Sequence, residues 1–441
     1  MERVAQLLQA HDYRQALVRL WVLGSVGPRL NDWEQARGND AALATATSQF
    51  LSDLEREIDP ALDRIHASPL ALVRALDDYV AATDARYNRA SRGGREALAR
   101  QENGNDYWLM PVTLQARRLA MLNRQVGNLG AWVRRHVVLP VKTANGLRVE
   151  LSFSQSRVNE ALADLWGKAH PELKVWIGHF EDGADVKWAH NGIKWRTTQV
   201  EPQDKRMESI LATLSDADAA GAHVVVLPEF TLDLEHRRML VKRLRTKPSS
   251  ALILLVAGSF HEPAGDQAFN TAPVYNARGR TVLTHRKLRL FGDLEIGAED
   301  VSVGDSIHVL ATPVGCMTVL ICKDFMDSHP SVESLLTEIP VEWVLVPSFG
   351  GESTIRAHKA SAKALAQVKT GAHSVIAQTL NTAEPRNGPP QECVRGFGHA
   401  GGQRDPQPQV GEQGGAVTFG LAPQTPVVLS EAPRPSLKRV K

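Results

Sequence analysis

Cysteine is scarce in this chain of 441 residues, which has only Cys316, Cys322 and Cys393. An odd, sparse set cannot build a disulfide framework and points to a reducing compartment. Long apolar runs are missing too. The longest candidates, such as residues 251–260, are strand-sized and well short of the roughly 18 residues a membrane span needs. The first twenty residues have no basic start followed by an apolar core, so no secretory signal is expected. Neither sign of charge dominates, with 51 Lys and Arg against 49 Asp and Glu. That balance gives no electrostatic reason for a nucleic-acid or membrane partner. Cys/His spacings that fit zinc and phosphate loops of the form G-x-x-x-x-G-K are also absent, so no metal and no cofactor are expected. What is present is ordinary globular composition, 43% hydrophobic and 23% charged. The expectation is a soluble cytoplasmic protein of two or three domains.

The two halves of the chain have different patterns. The first reads as helices. Asp12 can cap a segment reaching about Leu23. A second stretch starts at Asp53, and residues 70–84 are apolar at three- and four-residue intervals. The longest stretch spans 112–138, with arginines between its leucines. Those arginines read as the solvated side of an amphipathic helix. Near Leu147 the pattern changes to apolar strands alternating with helices. Strands are expected over 147–153, 174–180, 222–228, 251–260, 306–311, 315–322, 343–347 and 374–379. Residues 271–276 and 281–285 should form a hairpin. Helices are expected over 206–220, 234–244, 330–336 and 354–368. This alternation predicts an α/β sheet covered on both faces. Residues 395–413 read as a mobile loop, and 415–421 with 427–429 as a last hairpin.

In such sheets, chemistry collects where strands end. Three strand ends stand out. Glu229 follows the run 224–228, Lys287 closes the hairpin, and Cys322 ends an apolar run and meets Lys323 and Asp324. Each also has a plain structural reading: a helix-capping carboxylate, a surface cation and a small buried hydrophobe. Together they have a chemical logic. Amide and nitrile carbons are poor electrophiles. A thiolate attacks them once a carboxylate has taken the thiol proton. A fixed ammonium then stabilises the negative charge that develops on the substrate. Cys316 and Cys393 lack this setting and are read as structural.

The order and surroundings of these residues resemble the nitrilase superfamily of carbon–nitrogen hydrolases. The resemblance rests on VLPEF at 226–230, RKLRLF at 286–291 and the segment 315–324 ending in ICKD. Smaller matches are GSF at 258–260, FNTA at 269–272, WVLVPS at 343–348 and the strand ending at Asn381. It implies Glu229 as base, Lys287 as oxyanion stabiliser and Cys322 as nucleophile. A second glutamate would orient the lysine or the substrate. Glu299 fits that spacing best, with Glu295 as its rival. Phe230, Asn270, Lys323, Asp324 and Ser348, beside the motif positions, are the substrate-binding candidates. The implied fold is a four-layer α-β-β-α sandwich, preceded here by an α-helical unit. The implied boundaries are a helical unit over 1–145, a connecting segment over 146–173, a nitrilase-like domain over 174–430 and a disordered tail over 431–441. The family's usual association implies a homodimer or higher homo-oligomer, and the helical unit could hold a protein partner. Lys323 departs from the family, which usually has an uncharged residue after the cysteine.

Hydrolysis of a small amide or nitrile through a thioester is the leading expectation. Two alternatives share the same residues: a small-molecule sensor or assembly module coupled to the helical unit, and an amide-forming acyltransferase. A histidine-dependent cysteine hydrolase finds no motif around His285, His329, His358 or His373, which read as surface or core histidines.

Overall fold

The computed structural model describes residues 1–25, 29–83, 98–100, 106–111, 132–133, 135–154, 156–178, 180, 186–293, 297–326, 331–367, 371–380, 394–401, 409–410 and 414–421. Two seven-stranded sheets lie face to face. In the first, the strands run in the order Phe260–Ala264, Gln267–Asn276, Leu254–Val256, Val224–Val226, Glu172–Ile177 and Gly415–Gly420, with Thr281–Arg286 paired to Gln267–Asn276. The second runs Gln409–Val410, Gly396–His399, His373–Leu380, Trp343–Gly350, Gly315–Val319, Ser306–Thr312 and Arg148–Phe153.

Strand alternation builds the layers. Val175, Ile177, Val224 and Val226 point inward from the first sheet and meet Met317, Val319, Leu345 and Val375 of the second. The alternate residues point outward. Val225 and Leu255 pack under the helices Gln203–Ala219 and Leu234–Thr246 through Met207, Ile210, Leu240 and Leu244. Val344 and Val346 pack under Val332–Glu338 and Glu352–Gln367 through Leu335, Leu336, Ile355 and Leu365. The architecture is the four-layer α-β-β-α sandwich that the sequence resemblance implies.

Six helices between Glu2 and Thr83 form a bundle in front of the sandwich, around Leu17, Leu20, Phe50, Leu54, Leu72 and Leu76. Asp12 accepts from the Gln15 amide at the start of Tyr13–Ser25, the cap expected of it. The stretch expected to begin at Asp53 differs. Asp53 lies near the end of Asp40–Glu55, which Asn39 caps by accepting from the Ala42 amide. That helix buries only Leu43, Phe50 and Leu54, so its alanine-rich first turns carry little apolar signal.

The reading of 112–138 as one helix also needs correction. Residues 112–131 lie outside the described residues, but His136–Pro140 is a strand. It pairs with Asp106–Pro111, which pairs in turn with Leu98–Arg100. The run Val137, Val138, Leu139 suits a strand buried on both faces. Val138 and Leu109 face the helical bundle, whereas Val137, Leu139 and Met110 face the outer side of the second sheet. Similarly, the segment read as a mobile loop over 395–413 contains the strand Gly396–His399, paired antiparallel with His373–Leu380. The partner expected at 427–429, like Asn381 and Cys393, lies outside the described residues; Gly415–Gly420 pairs on one edge with Glu172–Ile177. No described helix is long and apolar enough to cross a membrane.

Candidate active site

Glu229 sits just past the strand Val224–Val226, in a turn fixed from both sheets. The Glu229 amide donates to the Ser348 carbonyl at 3.2 Å, and the Phe230 amide to the Ser259 carbonyl at 2.7 Å. Phe230 takes a left-handed backbone conformation, φ 57°. The neighbouring Gly258 is needed in that turn. At φ +65°, a Cβ there would lie 2.1 Å from the Pro228 carbonyl oxygen.

Lys287 follows the hairpin strand Thr281–Arg286. Its amide donates to the Asn270 carbonyl, and its carbonyl accepts from the Gly304 amide. Glu299 ends the short strand Gly297–Glu299. Cys322 leaves the strand Gly315–Val319 at φ 44°, an uncommon backbone state for a residue with a side chain, and opens a 3-10 turn. Such strained elbows persist only where the surroundings fix them, and they gather at functional sites.

Asp324 secures this elbow. Its carboxylate accepts from the Ile321 amide at 3.1 Å and from the Leu288 amide at 3.0 Å. It therefore ties the cysteine turn to the residue after Lys287. His285 lies 3.4 Å from the same carboxylate. Both Asp324 oxygens are thus engaged by the protein and its side chain is buried, so it acts as a brace between two motif segments.

The side chains of Glu229, Lys287 and Glu299 converge, each 2% exposed or less. The Lys287 ammonium donates to Glu229 Oε1 at 3.0 Å and to Glu299 Oε1 at 2.9 Å. Asn270 Nδ2 donates to Glu229 Oε1 at 2.7 Å. Glu299 Oε2 accepts from the Phe291 amide at 2.6 Å, and His261 Nε2 stands 3.3 Å from Glu299 Oε1. The Cys322 thiol is buried and donates to the Phe349 carbonyl at 3.5 Å. Both Glu229 and Lys287 act electrostatically on it.

The environment separates the two carboxylates. Burial raises the Glu229 pKa and the Glu299 charge adds to that, against the pull of Lys287. Glu299 is also buried, but Lys287 and His261 hold it well below the usual carboxylate range. Glu299 is therefore held more firmly in its charged form, and Glu229 takes a proton more readily. Burial opposes the Lys287 charge, but Glu229 and Glu299 outweigh it and hold the ammonium well above its ordinary value. Burial and Glu229 push the Cys322 thiol up to about 12. The thiol therefore keeps its proton at neutral pH.

The remaining candidates lie around this cluster. Phe230 belongs to an aromatic group with Trp188, Trp195 and Phe349, with ring centres 5.4 to 6.3 Å from its own. Lys323 is half-buried, its ammonium 5.8 Å from the centre of the Phe291 ring. Ser348 is fully buried at the end of its strand, beside His358 and Gln378. Glu295 and His329 lie outside the described residues.

Sequence reasoning missed His261, whose only signal was its place two residues after Ser259. It also missed the hairpin of Val186–His190 and Lys194–Val200, which brings Trp188 and Trp195 to the site. That hairpin pairs with the strand carrying Glu299. Among the described residues, no group of three or more His, Cys, Asp and Glu side chains is arranged to hold a metal ion.

The carbon–nitrogen hydrolase family model matches residues 191–326, the stretch that carries Glu229, Lys287, Glu299 and Cys322. That stretch is similar to the carbon–nitrogen hydrolase family. Among curated proteins, a hydrolase of Schizosaccharomyces pombe is 27% identical, over 28% of this chain and 44% of that protein. An omega-amidase of Danio rerio is 35% identical, over 16% of this chain and 28% of that protein. The chain thus spans less than half the length of these curated relatives. Among solved structures, an amidase from Nesterenkonia sp. matches with a TM-score of 0.41 at 19% identity, covering 58% of this chain and 91% of that one. A glutamine-dependent NAD+ synthetase from Acinetobacter baumannii matches with a TM-score of 0.42 at 14% identity, covering 56% and 45%.

Proposed function

We propose that this chain hydrolyses the C–N bond of a small-molecule amide or nitrile through a thioester on Cys322. The observation that carries this reading is the buried cluster in which one ammonium bridges two carboxylates at 3.0 and 2.9 Å beside a thiol on a strained turn. A structural ion pair would need one carboxylate. Burying two with a lysine and a thiol is costly and has no packing rationale.

The steps for an amide follow from the proton positions. Glu229 takes the Cys322 proton as the sulfur attacks the carbonyl carbon. The oxygen becomes an oxyanion, which the Lys287 ammonium stabilises. Glu229 returns the proton to the nitrogen as the C–N bond breaks, leaving the acyl group on sulfur and releasing ammonia or an amine. Glu229 then takes a proton from water, whose oxygen adds to the thioester carbon. Collapse of that adduct frees the carboxylic acid and restores the thiol. Glu299 stays ionised throughout and fixes the lysine.

Intact-mass measurement of the protein after brief exposure to a panel of small primary amides and nitriles tests this reading. The expected result is an acyl adduct mapped to Cys322, which decays in water to the free acid. No adduct and no acid across the panel, with ligand-dependent association instead, would favour the sensor reading. Transfer of the acyl group to an added amine in preference to water would favour the acyltransferase.

A further inference from the structure

The steps above leave unused the aromatic rings that border the cluster, although direct contacts tie those rings to it. Phe230 follows Glu229 in the same turn, and the Phe349 carbonyl accepts from the Cys322 thiol. The Phe291 amide donates to Glu299 Oε2, and the Asp300 amide, one residue after Glu299, donates to the Trp195 carbonyl at 2.7 Å. Trp195 also stacks on His261, with ring centres 5.7 Å apart and planes at 29°. Trp188 joins from the strand Val186–His190. Its ring centre lies 4.9 Å from that of Trp195, 5.4 Å from Phe230 and 5.8 Å from Phe349.

Exposure rises across these rings. Phe230 and Trp195 are buried, Phe349 and Phe291 are half-buried, and Trp188 is 40% exposed. A single exposed tryptophan would need no explanation. Here the exposed ring touches three others, two of them beside Glu229 and Cys322, so it is the outer part of an apolar patch that reaches the reacting groups. Such patches mark binding surfaces. The rings meet at steep angles, 72° for Trp188 with Trp195 and 79° with Phe230. A ligand ring can continue that edge-to-face packing. The charge at the border also selects. The Lys323 ammonium is 5.8 Å from the Phe291 ring centre, so a positive group on the ligand would be repelled.

We propose that these rings bind the acyl side of the substrate, that the substrate class is a primary amide or nitrile whose acyl part carries a neutral apolar ring, and that Trp188 is a specificity-determining residue. The proposal rests on the reading of Cys322 as nucleophile and Glu229 as its base. Glu229 Oε1, which meets the leaving nitrogen, is held among polar groups, the Lys287 ammonium and Asn270 Nδ2. A substrate with its nitrogen there turns its acyl part away from them and toward the rings. The acyl group stays in place after ammonia leaves, because its carbon is then bonded to the sulfur beside Phe349.

Equilibrium binding to full-length Cys322→Ala, measured by ligand-detected NMR, reads this surface without turnover. Phenylacetamide should bind at least about tenfold more tightly than acetamide, the gain from covering an apolar ring. Adding Trp188→Ala should cut that ratio at least about fivefold, whereas Trp188→Phe should keep most of it. General damage to the fold would weaken both ligands and leave the ratio alone. If the alanine variant does not fold, Trp188→Thr replaces it, since a β-branched residue suits an exposed strand. The neutral ligand 3,3-dimethylbutanamide should bind better than trimethylammonioacetamide, which has the same shape and one positive charge. In the wild-type protein, kcat/KM should favour phenylacetamide over acetamide, and over N-benzylacetamide, which carries its ring on nitrogen.

A binding ratio near one would overturn the proposal. So would a ratio unchanged by Trp188→Ala in folded protein, tighter binding of the cationic ligand, or faster cleavage of N-benzylacetamide than of phenylacetamide. Selective binding without any cleavage would count against the proposed function and leave the ring surface standing. Cleavage of acetamide with no preference for phenylacetamide would do the reverse.

Discussion

The helical bundle and the sandwich treat charge in opposite ways. Among the described residues up to Thr83, Asp77 is the one buried charged side chain, and it lies where the bundle meets the His136–Pro140 strand. The sandwich buries Glu229, Lys287, Glu299, Asp324, Arg237, Glu342 and several histidines. Burying a charge costs several kcal/mol unless partners compensate for it. The bundle uses charge once, as a fastener. The sandwich uses it repeatedly, and its densest concentration lies at strand ends. Apolar patterning therefore specifies both regions, but only the second carries ionic structure that stability does not require.

Breaking the chemistry in the sandwich should give the largest effects. Cys322→Ala removes the proposed nucleophile, so amide turnover should fall to background, by at least about 10⁴-fold, with the melting temperature nearly unchanged. Turnover within tenfold of wild type would remove Cys322 from the mechanism. Lys287→Met separates cost from purpose. Activity should drop at least about 10²-fold, and stability should fall by about 3–5 kcal/mol because two buried carboxylates lose their shared partner. Urea unfolding and initial rates read the two effects independently. A variant as stable as wild type would mean that the carboxylates are protonated at rest.

In the bundle, Asp77→Ala should cost about 2–4 kcal/mol and leave kcat within a few-fold, since it removes the acceptor for His136 Nδ1 and for the Arg135 amide. A large loss of activity at unchanged stability would show that the bundle reaches the active site energetically.

The smallest effect concerns acid. Burial holds His373 neutral and lowers its pKa to about 4. An unfolded histidine takes up a proton near pH 6.5, whereas the folded one refuses it until about pH 4. Stability is therefore full above the unfolded value and declines as pH falls through that window, by up to about 1.4 kcal/mol per pH unit for this residue. His373→Gln should flatten that part of the stability curve. An identical acid slope in both proteins would show that His373 is not the group responsible.

Much of this was legible in the sequence, for identifiable reasons. The sandwich strands are short, apolar and bounded by Gly or Pro, so their positions and alternation could be read. Glu229 and Cys322 stood out because a charged or nucleophilic residue abruptly follows an apolar run, Lys287 because it closes a hairpin, and Glu299 only through the spacing that the family resemblance implies. The hairpin of Val186–His190 and Lys194–Val200 gave no such signal. Most of its side chains are exposed, and its tryptophans face neighbours far away in sequence. The His136–Pro140 strand was hidden by the arginine-rich stretch before it. Asp324 sits among the motif residues, and nothing in its spacing separates a brace from a substrate contact. His358 and Ser348 are ten positions apart, yet their contact depends on a helix that packs across the strand, which spacing alone does not show.

The strand His136–Pro140 belongs to two cores at once, with alternate side chains turned toward the bundle and toward the second sheet. Neither region has a complete apolar boundary of its own, and each supplies part of the other's wall. A protein cut between the bundle and this strand would present Leu109 and Val138 to water. Excising the sandwich alone would therefore yield a sticky fragment, and loosening on heating or in denaturant should pass from one region to the other through that shared partition.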